Sequence, residues 1–150
     1  MTQADDQFLK DRCGIAVHAT VVVGEKGQVV IPKAARDQLG IRPGDSLLCM
    51  IKGDLAFGLA KAEALERLPP CEEQDVKFHA SVAVGERGQA VIPKAVRDAI
   101  GIRPGDTLMT VVKLGAVVGM VKVTDVGRMI DYMRREVDDS GGKPRPAAKK

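Results

Sequence analysis

The residues in this sequence that could do chemistry are mainly cations that cluster and then recur. Lys26, Lys33 and Arg36 fall within eleven residues, and cations return at the same spacing 61 residues later as Arg87, Lys94 and Arg97. Lysine and arginine grouped in this way attract phosphate, even in a chain whose formal net charge is only +3. The two sets indicate a nucleic-acid surface.

A structural alternative exists for these cations. Exposed helix faces are often rich in lysine and arginine, and Arg36 could pair with the neighbouring Asp37 or with Glu25. A glutamine accompanies each set, at Gln28 and Gln89. Because a glutamine amide can bind adenine through two hydrogen bonds in the major groove, these two residues are candidates for base contacts.

Other reactive residues form no catalytic pattern. The sequence has no Ser/His/Asp or Cys/His set, and its glycines do not follow the spacing of a phosphate-binding loop. His18 and His79 occupy matching positions in a predicted strand, without carboxylate or thiol partners at metal-ligand spacing. We therefore expect a protein that is not an enzyme and that holds neither a metal nor a cofactor.

Composition narrows the class of protein further. Aromatic residues make up 3% of the chain and tryptophan is absent, which disfavours single-strand or RNA binding by stacking on aromatic rings. The three cysteines are too scattered for a zinc site and favour a reducing compartment. The N-terminus lacks a signal peptide, and no apolar run approaches the roughly 20 residues of a membrane span. We expect a cytoplasmic protein without membrane contact.

The cations belong to an internal repeat. Residues 18–52 and 79–113 align without a gap and are identical at about two-thirds of their positions. The residue pattern of each copy predicts a strand, a loop, a second strand, a helix, a turn and then two further strands. In the first copy the helix follows Pro32 and ends at Gly40, as helix-boundary preferences favour. The predicted elements are His18–Val23, Gln28–Ile31, Lys33–Leu39, Ser46–Ile51 and Leu55–Ala60, with Thr107–Val112 and Ala116–Val123 as the second hairpin.

One copy is too small to fold alone. Four short strands and a helix of two turns leave an apolar sheet face uncovered and strand edges unpaired. We therefore predict that the two copies close on each other as one barrel-like domain. Two chains that supply repeats to each other are the alternative.

The segments around the repeat differ in composition. We divide the chain into a first repeat (15–62), an acidic connector (63–76), a second repeat (77–123), a C-terminal helix (124–138) and a disordered basic tail (139–150). The connector predicts a short helix over Glu63–Leu68. The C-terminal helix is capped by Thr124 or Asp125 and places its apolar residues on one face. These residues are Val126, Met129, Ile130, Met133 and Val137.

The strings GEKGQVVIPKAARDQLGIRPGD and GERGQAVIPKAVRDAIGIRPGD resemble the AbrB/MazE/SpoVT family of swapped-hairpin, looped-hinge-helix DNA-binding domains. The resemblance covers about 45 residues per copy. It implies a mainly β fold with short helices, of the α+β class, in which two units exchange hairpins into one barrel. Here the two tandem repeats would form that barrel as a pseudo-dimer.

The resemblance also implies a set of DNA contacts. Family members use basic residues of the hinge loop and the short helix, which here are Lys26, Lys33 and Arg36, with Arg87, Lys94 and Arg97. AbrB-like proteins carry arginine where this chain has Gln28 and Gln89, and a further helix arginine where it has Asp37 and Asp98.

These observations lead to three functional hypotheses. The first is a transcription regulator that binds double-stranded DNA, with possible self-association through the C-terminal helix. The second is an antitoxin that binds its own promoter and a partner toxin. Such antitoxins carry a long partner-wrapping tail, whereas this chain has one helix and a short tail, which favours the regulator. The third, motivated by the missing arginines, is a scaffold that no longer binds DNA.

Overall fold

The computed structural model describes residues 1–66 and 76–139 of the chain. Most of the predicted acidic connector and nearly all of the predicted basic tail lie outside these described residues. The predicted α+β class is confirmed, since eight strands and five α-helices alternate along the described segments.

The strands fall in the same order in both repeats. The first repeat supplies β1 to β4, and the second supplies β5 to β8. Their bounds are Ile15–Val22, Gln28–Val30, Ser46–Lys52 and Ala56–Ala60 for the first repeat, then Val76–Ala83, Gln89–Val91, Thr107–Lys113 and Val117–Lys122 for the second.

The two repeats exchange their first strands. β1 pairs antiparallel with β7 of the second repeat, and β5 pairs antiparallel with β3 of the first. These ladders give a six-stranded sheet in the order β1-β7-β8-β4-β3-β5. Neither repeat is complete alone, because each takes an edge strand from the other.

The predicted barrel does not close among the described strands. The six-stranded sheet ends on β1 and β5, which do not pair with each other, so the sheet is open. β2 and β6 instead form a separate antiparallel ribbon, in which Val29 lies opposite Ala90.

The short helix of each repeat follows the ribbon directly. α2 spans Lys33–Leu39 and α4 spans Lys94–Ile100, each beginning after a proline whose fixed φ suits the start of a helix. α2 ends at Gly40, whose φ of 68° is a left-handed conformation that glycine adopts without strain. The predicted boundaries of α2 are confirmed.

The main core lies between the six-stranded sheet and the layer formed by the ribbon, α2 and α4. Ile31 and Ile92, which follow the two ribbon strands, are 0% and 2% exposed. They pack with Ala35 and Val96 of the helices and with inward-facing sheet residues such as Leu108. The ribbon and both short helices are therefore fixed to the sheet by aliphatic packing.

A second layer covers part of the opposite face of the sheet. It is formed by α1 (Gln3–Cys13) and α5 (Val126–Asp139). The predicted apolar face of α5 is buried there: Met129, Ile130 and Met133 pack with Leu9 of α1. A 3-10 turn over Val123–Asp125 precedes α5.

Two of the helices differ from the sequence predictions. α1 was not predicted, although Thr2 and Asp5 form a capping box and Gly14 supplies the left-handed C-cap. α3 spans Ala62–Leu65 with Glu66 as its C-cap, and the end of the predicted helix Glu63–Leu68 lies outside the described residues. None of the helices in the described segments is both long and apolar enough to cross a membrane.

Ion pairs hold α5 to the rest of the chain. Arg134 contacts Asp5 of α1 at 2.9 Å, and its guanidinium lies 4.2 Å from the centre of the Phe8 ring. Arg128 contacts Asp54, in the turn between β3 and β4, at 2.7 Å. α5 is thus docked by its apolar face and by charged contacts to α1 and to the first repeat.

The core assignment predicts the cost of two neighbouring substitutions. Ile31→Ala should lower the free energy of unfolding by about 2–5 kcal/mol, because it removes a fully buried side chain between ribbon and sheet. Val30→Ala is the matched control, since Val30 is 47% exposed and should cost much less. Urea denaturation followed by circular dichroism measures both. Equal shifts in the two midpoints would contradict the assigned face of β2.

The contact between α5 and the turn between β3 and β4 predicts a shifted titration of Asp54. The hydrogen bond and charge of Arg128 hold the pKa of Asp54 below its ordinary value. The ionised Asp54 therefore stabilises the folded chain above the unfolded-state pKa, and this contribution is lost as the pH falls through the lowered folded-state pKa.

Arg128→Gln should raise the pKa of Asp54 towards its ordinary value in an NMR titration. Asp5 is the internal control, because its pKa is lowered by a backbone hydrogen bond at Thr2 and by Arg134, neither of which changes. An unmoved Asp54 titration would mean that Arg128 does not reach the turn in solution.

Candidate nucleic-acid interface

Each hinge loop is a tight turn between the first two strands of its repeat. In the first loop the Gly27 N–H donates to the carbonyl of Gly24 at 3.0 Å, and the Gly24 N–H donates to the carbonyl of Gln28 at 2.8 Å. The second loop repeats both hydrogen bonds through Gly85, Gly88 and Gln89. The tip residues of the two loops, including Lys26 and Arg87, are exposed.

The ribbon joins each loop to the helix of the opposite repeat. The Ile92 N–H donates to the carbonyl of Gly27 at 2.9 Å, and the Ile31 N–H donates to the carbonyl of Gly88 at 2.9 Å. The loop that carries Lys26 therefore adjoins the start of α4, while the loop that carries Arg87 adjoins the start of α2.

The predicted cations are thereby regrouped across the two repeats. One group combines a loop cation of the first repeat with helix cations of the second, and the other group does the reverse. The groups are Lys26 with Lys94 and Arg97, and Arg87 with Lys33 and Arg36. Both lie in the ribbon layer, on the opposite side of the sheet from α1 and α5.

Two segments of the chain match the model of a known family. The family model described as antidote-toxin recognition MazE, bacterial antitoxin, matches residues 20–48 and again residues 82–114. Two segments of the chain are therefore similar to the MazE domain. The matched segments contain both hinge loops, both ribbon strands and both short helices, so the tandem repeat and the family resemblance are confirmed. The family is not enzymatic, and it implies a role in DNA binding or as an antitoxin.

Comparisons with individual proteins add little to the family match. No curated protein sequence matches the chain. The solution structure of PHS018 from Pyrococcus horikoshii is 25% identical and aligns over 75% of this chain and 91% of that one. Its TM-score is 0.38, which is too low to support the fold assignment.

The two ribbon glutamines turn back onto their own loops. Gln28 Oε1 accepts a hydrogen bond from the Lys26 N–H at 2.9 Å, and Gln89 Oε1 accepts one from the Arg87 N–H at 2.8 Å. In this conformation each side-chain oxygen orders the loop. The side-chain NH2 group keeps two donors that could contact a base or a phosphate.

The helix lysines are exposed but paired. Lys33 contacts Asp37 at 2.8 Å and Lys94 contacts Asp98 at 2.9 Å, with both lysine side chains 77% exposed. Because such surface pairs are weak and screened by salt, a phosphate can displace the carboxylate. The aspartates nevertheless reduce the positive potential of each helix.

The helix arginines are the least available of the predicted cations. Arg36 Nε donates to the carbonyl of Ile31 at 2.8 Å, and Arg97 Nε donates to the carbonyl of Ile92 at 2.9 Å. Both arginines are partly buried. The alternative in which Arg36 pairs with Asp37 or Glu25 is not the observed geometry, since Asp37 pairs with Lys33.

Two exposed valines on the ribbon were not predicted as site residues. Val30 and Val91 are 47% and 52% exposed, and their ladder partners are Gln89 and Gln28. The alternate residues, Val29 among them, face the core. The outer ribbon face is therefore a small array of two glutamines and two valines. The period-2 pattern of the strand could have indicated this face.

Residues outside the ribbon layer have structural roles. Asp45 accepts a hydrogen bond from the Arg42 N–H and Asp106 accepts one from the Arg103 N–H, both at 2.9 Å, so each aspartate orders the turn in which it lies. Among residues 1–66 and 76–139, no three histidine, cysteine or acidic side chains group as metal ligands.

The glutamine geometry predicts a change in loop motion. Replacing both Gln28 and Gln89 by alanine removes the acceptors of the Lys26 and Arg87 amides, so both loops should move more on the ps–ns timescale. NMR order parameters at these amides should fall from about 0.85 towards 0.6. Gln38→Ala, at an exposed position of α2, is the control and should leave them unchanged.

Proposed function

We propose that this protein is a transcription regulator that binds duplex DNA through its ribbon layer. The observation that carries the proposal is the β2–β6 ladder, which joins the loop of each repeat to the helix of the other. It gives two equivalent cation groups on either side of one ribbon. The MazE family match, which implies DNA binding, supports the same surface.

The chemistry of the surface suits a division between phosphate and base contacts. Lys26, Lys33, Arg87 and Lys94 are exposed cations that would bind phosphates and set the register on the duplex. The major groove is wide enough for a two-stranded ribbon, and there Val30 and Val91 could contact thymine methyl groups. The NH2 groups of Gln28 and Gln89 could reach base edges beside them.

We infer that one chain acts as a pseudo-dimer of the swapped-hairpin type. The exchange of β1 and β5 supports this inference, as does the equal contribution of both repeats to the ribbon. The two loops differ at the cation, Lys26 in one and Arg87 in the other, while the glutamine is the same in both. The preferred DNA site would then be an inverted repeat with similar half-sites.

An antitoxin is the second candidate function, and the description of the matched family favours it. A toxin-wrapping segment would need an apolar surface that is free to dock. The apolar face of α5 is instead buried on its own chain, with Met129, Ile130 and Met133 each less than 8% exposed. The same burial leaves no free apolar face on α5 for self-association. We therefore place the regulator before the antitoxin.

The proposal predicts how DNA affinity depends on salt. With about four to six phosphates neutralised, log affinity should fall with log salt at a slope of roughly −4 to −5. Lys33→Glu combined with Lys94→Glu should weaken binding by at least about tenfold and flatten the slope by about 2. An electrophoretic shift with the DNA upstream of the protein's own gene, titrated with salt, measures both quantities.

Lys10→Glu is the matched control, because Lys10 is an exposed lysine of α1 on the opposite side of the sheet. Its reversal should leave the slope unchanged, and circular dichroism should be the same for every variant. Equal binding by the double variant and the parent would exclude the ribbon layer as the DNA surface. If the parent shows no salt-sensitive binding to any duplex, the regulator hypothesis fails and the antitoxin becomes the first candidate function.

A further inference from the structure

The helix arginines lie against the loop of the opposite repeat. Besides donating to Ile31, Arg36 lies directly over Gly88, such that a Cβ atom at Gly88 would be 2.6 Å from Arg36 Cζ and 2.7 Å from Cδ. Real Cβ contacts are not this short, so the guanidinium occupies the place where any other residue at 88 would have its side chain. The close approach depends on glycine.

The same contact is formed in the other direction. A Cβ atom at Gly27 would lie 2.6 Å from Arg97 Nε and 2.8 Å from Cζ. Gly27 and Gly88 have φ values of 80° and 81°, in the left-handed region that glycine adopts without strain. The arginine–glycine contact therefore has the same geometry in both halves of the chain.

Each contact is part of a short connected set of groups. Arg36 donates to the Ile31 carbonyl, the Ile31 N–H donates to the Gly88 carbonyl, and the guanidinium covers Gly88. We call this set the cross-repeat clamp. Its mirror image consists of Arg97, Ile92 and Gly27. The clamp fixes the loop residue that directly follows the exposed loop cation.

We infer that Arg36 and Arg97 are positioning residues, each of which holds the hinge loop of the opposite repeat in the conformation that presents its cation. Arg36 would set the position of Arg87, and Arg97 that of Lys26. Part of this inference, the effect on DNA affinity, rests on the proposed function. The effect on the loop does not.

Arginine and lysine differ in how they could fill this role. A guanidinium is flat and donates from Nε in a fixed direction, so it can cover a glycine and bind a carbonyl at once. A lysine ammonium keeps the charge but has no Nε–H at that point of the side chain. Arg36→Lys therefore removes the clamp while it retains a cation for phosphate.

The first experiment is a double-mutant cycle on affinity for the same upstream duplex at constant salt. Arg36→Lys and Arg87→Gln should each weaken binding by about threefold to tenfold. The double variant should bind about as well as Arg87→Gln alone, because the two residues act through one contact. Lys26→Gln is the matched control, because Lys26 lies in the other loop. Its loss of affinity should multiply with that of Arg36→Lys in the double variant. The inference would be overturned if the affinity losses of Arg36→Lys and Arg87→Gln multiplied in the double variant. It would also be overturned if the loss from Arg36→Lys depended on Lys26→Gln.

The second experiment needs no DNA. Amide hydrogen exchange in the free protein should speed up at Arg87 and Gly88 in Arg36→Lys, and at Lys26 and Gly27 in Arg97→Lys. Arg36→Met, which removes the guanidinium and leaves Gly88 in place, should reproduce the Arg36→Lys pattern and so covers the case in which that variant folds poorly.

The two experiments separate the two proposals. If each arginine variant speeds up amide exchange in the loop of the opposite repeat while the parent binds no DNA, the clamp is upheld and the proposed function is refuted. If the parent binds DNA but each variant changes amide exchange only in the loop of its own repeat, the clamp is refuted. The proposed function then still stands. Unchanged exchange in both loops would also refute the clamp.

Discussion

The antiparallel pairing of β2 with β6 is the interaction on which the rest of the structure depends. Three residues from each repeat form this ladder, and the backbone hydrogen bonds that continue it run from Ile31 to Gly88 and from Ile92 to Gly27. The ladder fixes the loops, sets the starting points of α2 and α4, and closes one side of the main core. The exchange of β1 and β5 then makes the two repeats inseparable parts of one fold.

The contacts around the ribbon assign different roles to residues of similar chemistry. Lys33 and Lys94 are exposed and held only by surface carboxylates, whereas Arg36 and Arg97 are partly buried and bound to backbone. A cation that already donates to a backbone carbonyl gains less from a phosphate than one that is held by a weak surface pair. The cations that remain free of backbone contacts therefore lie mainly at the loop tips and in the first turn of each helix.

Much of the fold could be predicted from the sequence, because its signals are local. Proline and glycine mark the ends of α2, and alternating residues mark the β3–β4 hairpin. Strand exchange could not be derived from the residues, since both repeats carry nearly the same strands and β1 could equally pair with β3. That expectation came from the family resemblance. α1 was missed because its few apolar residues give a weak pattern, and its stability comes from caps and from packing on α5. The role of Arg36 depends on a glycine 52 positions away and so leaves no local signal.

The joining of both repeats in one chain also changes how the fold responds to dilution. Where two separate chains exchange strands, folding is a bimolecular event, and lowering the protein concentration favours unfolded monomers. Here β1 finds β7 within the same molecule, at an effective concentration set by the intervening chain rather than by the number of copies present. The midpoint of thermal unfolding is then independent of protein concentration. A cell could hold very few copies of this protein, and each one would still have both repeats paired across the ribbon.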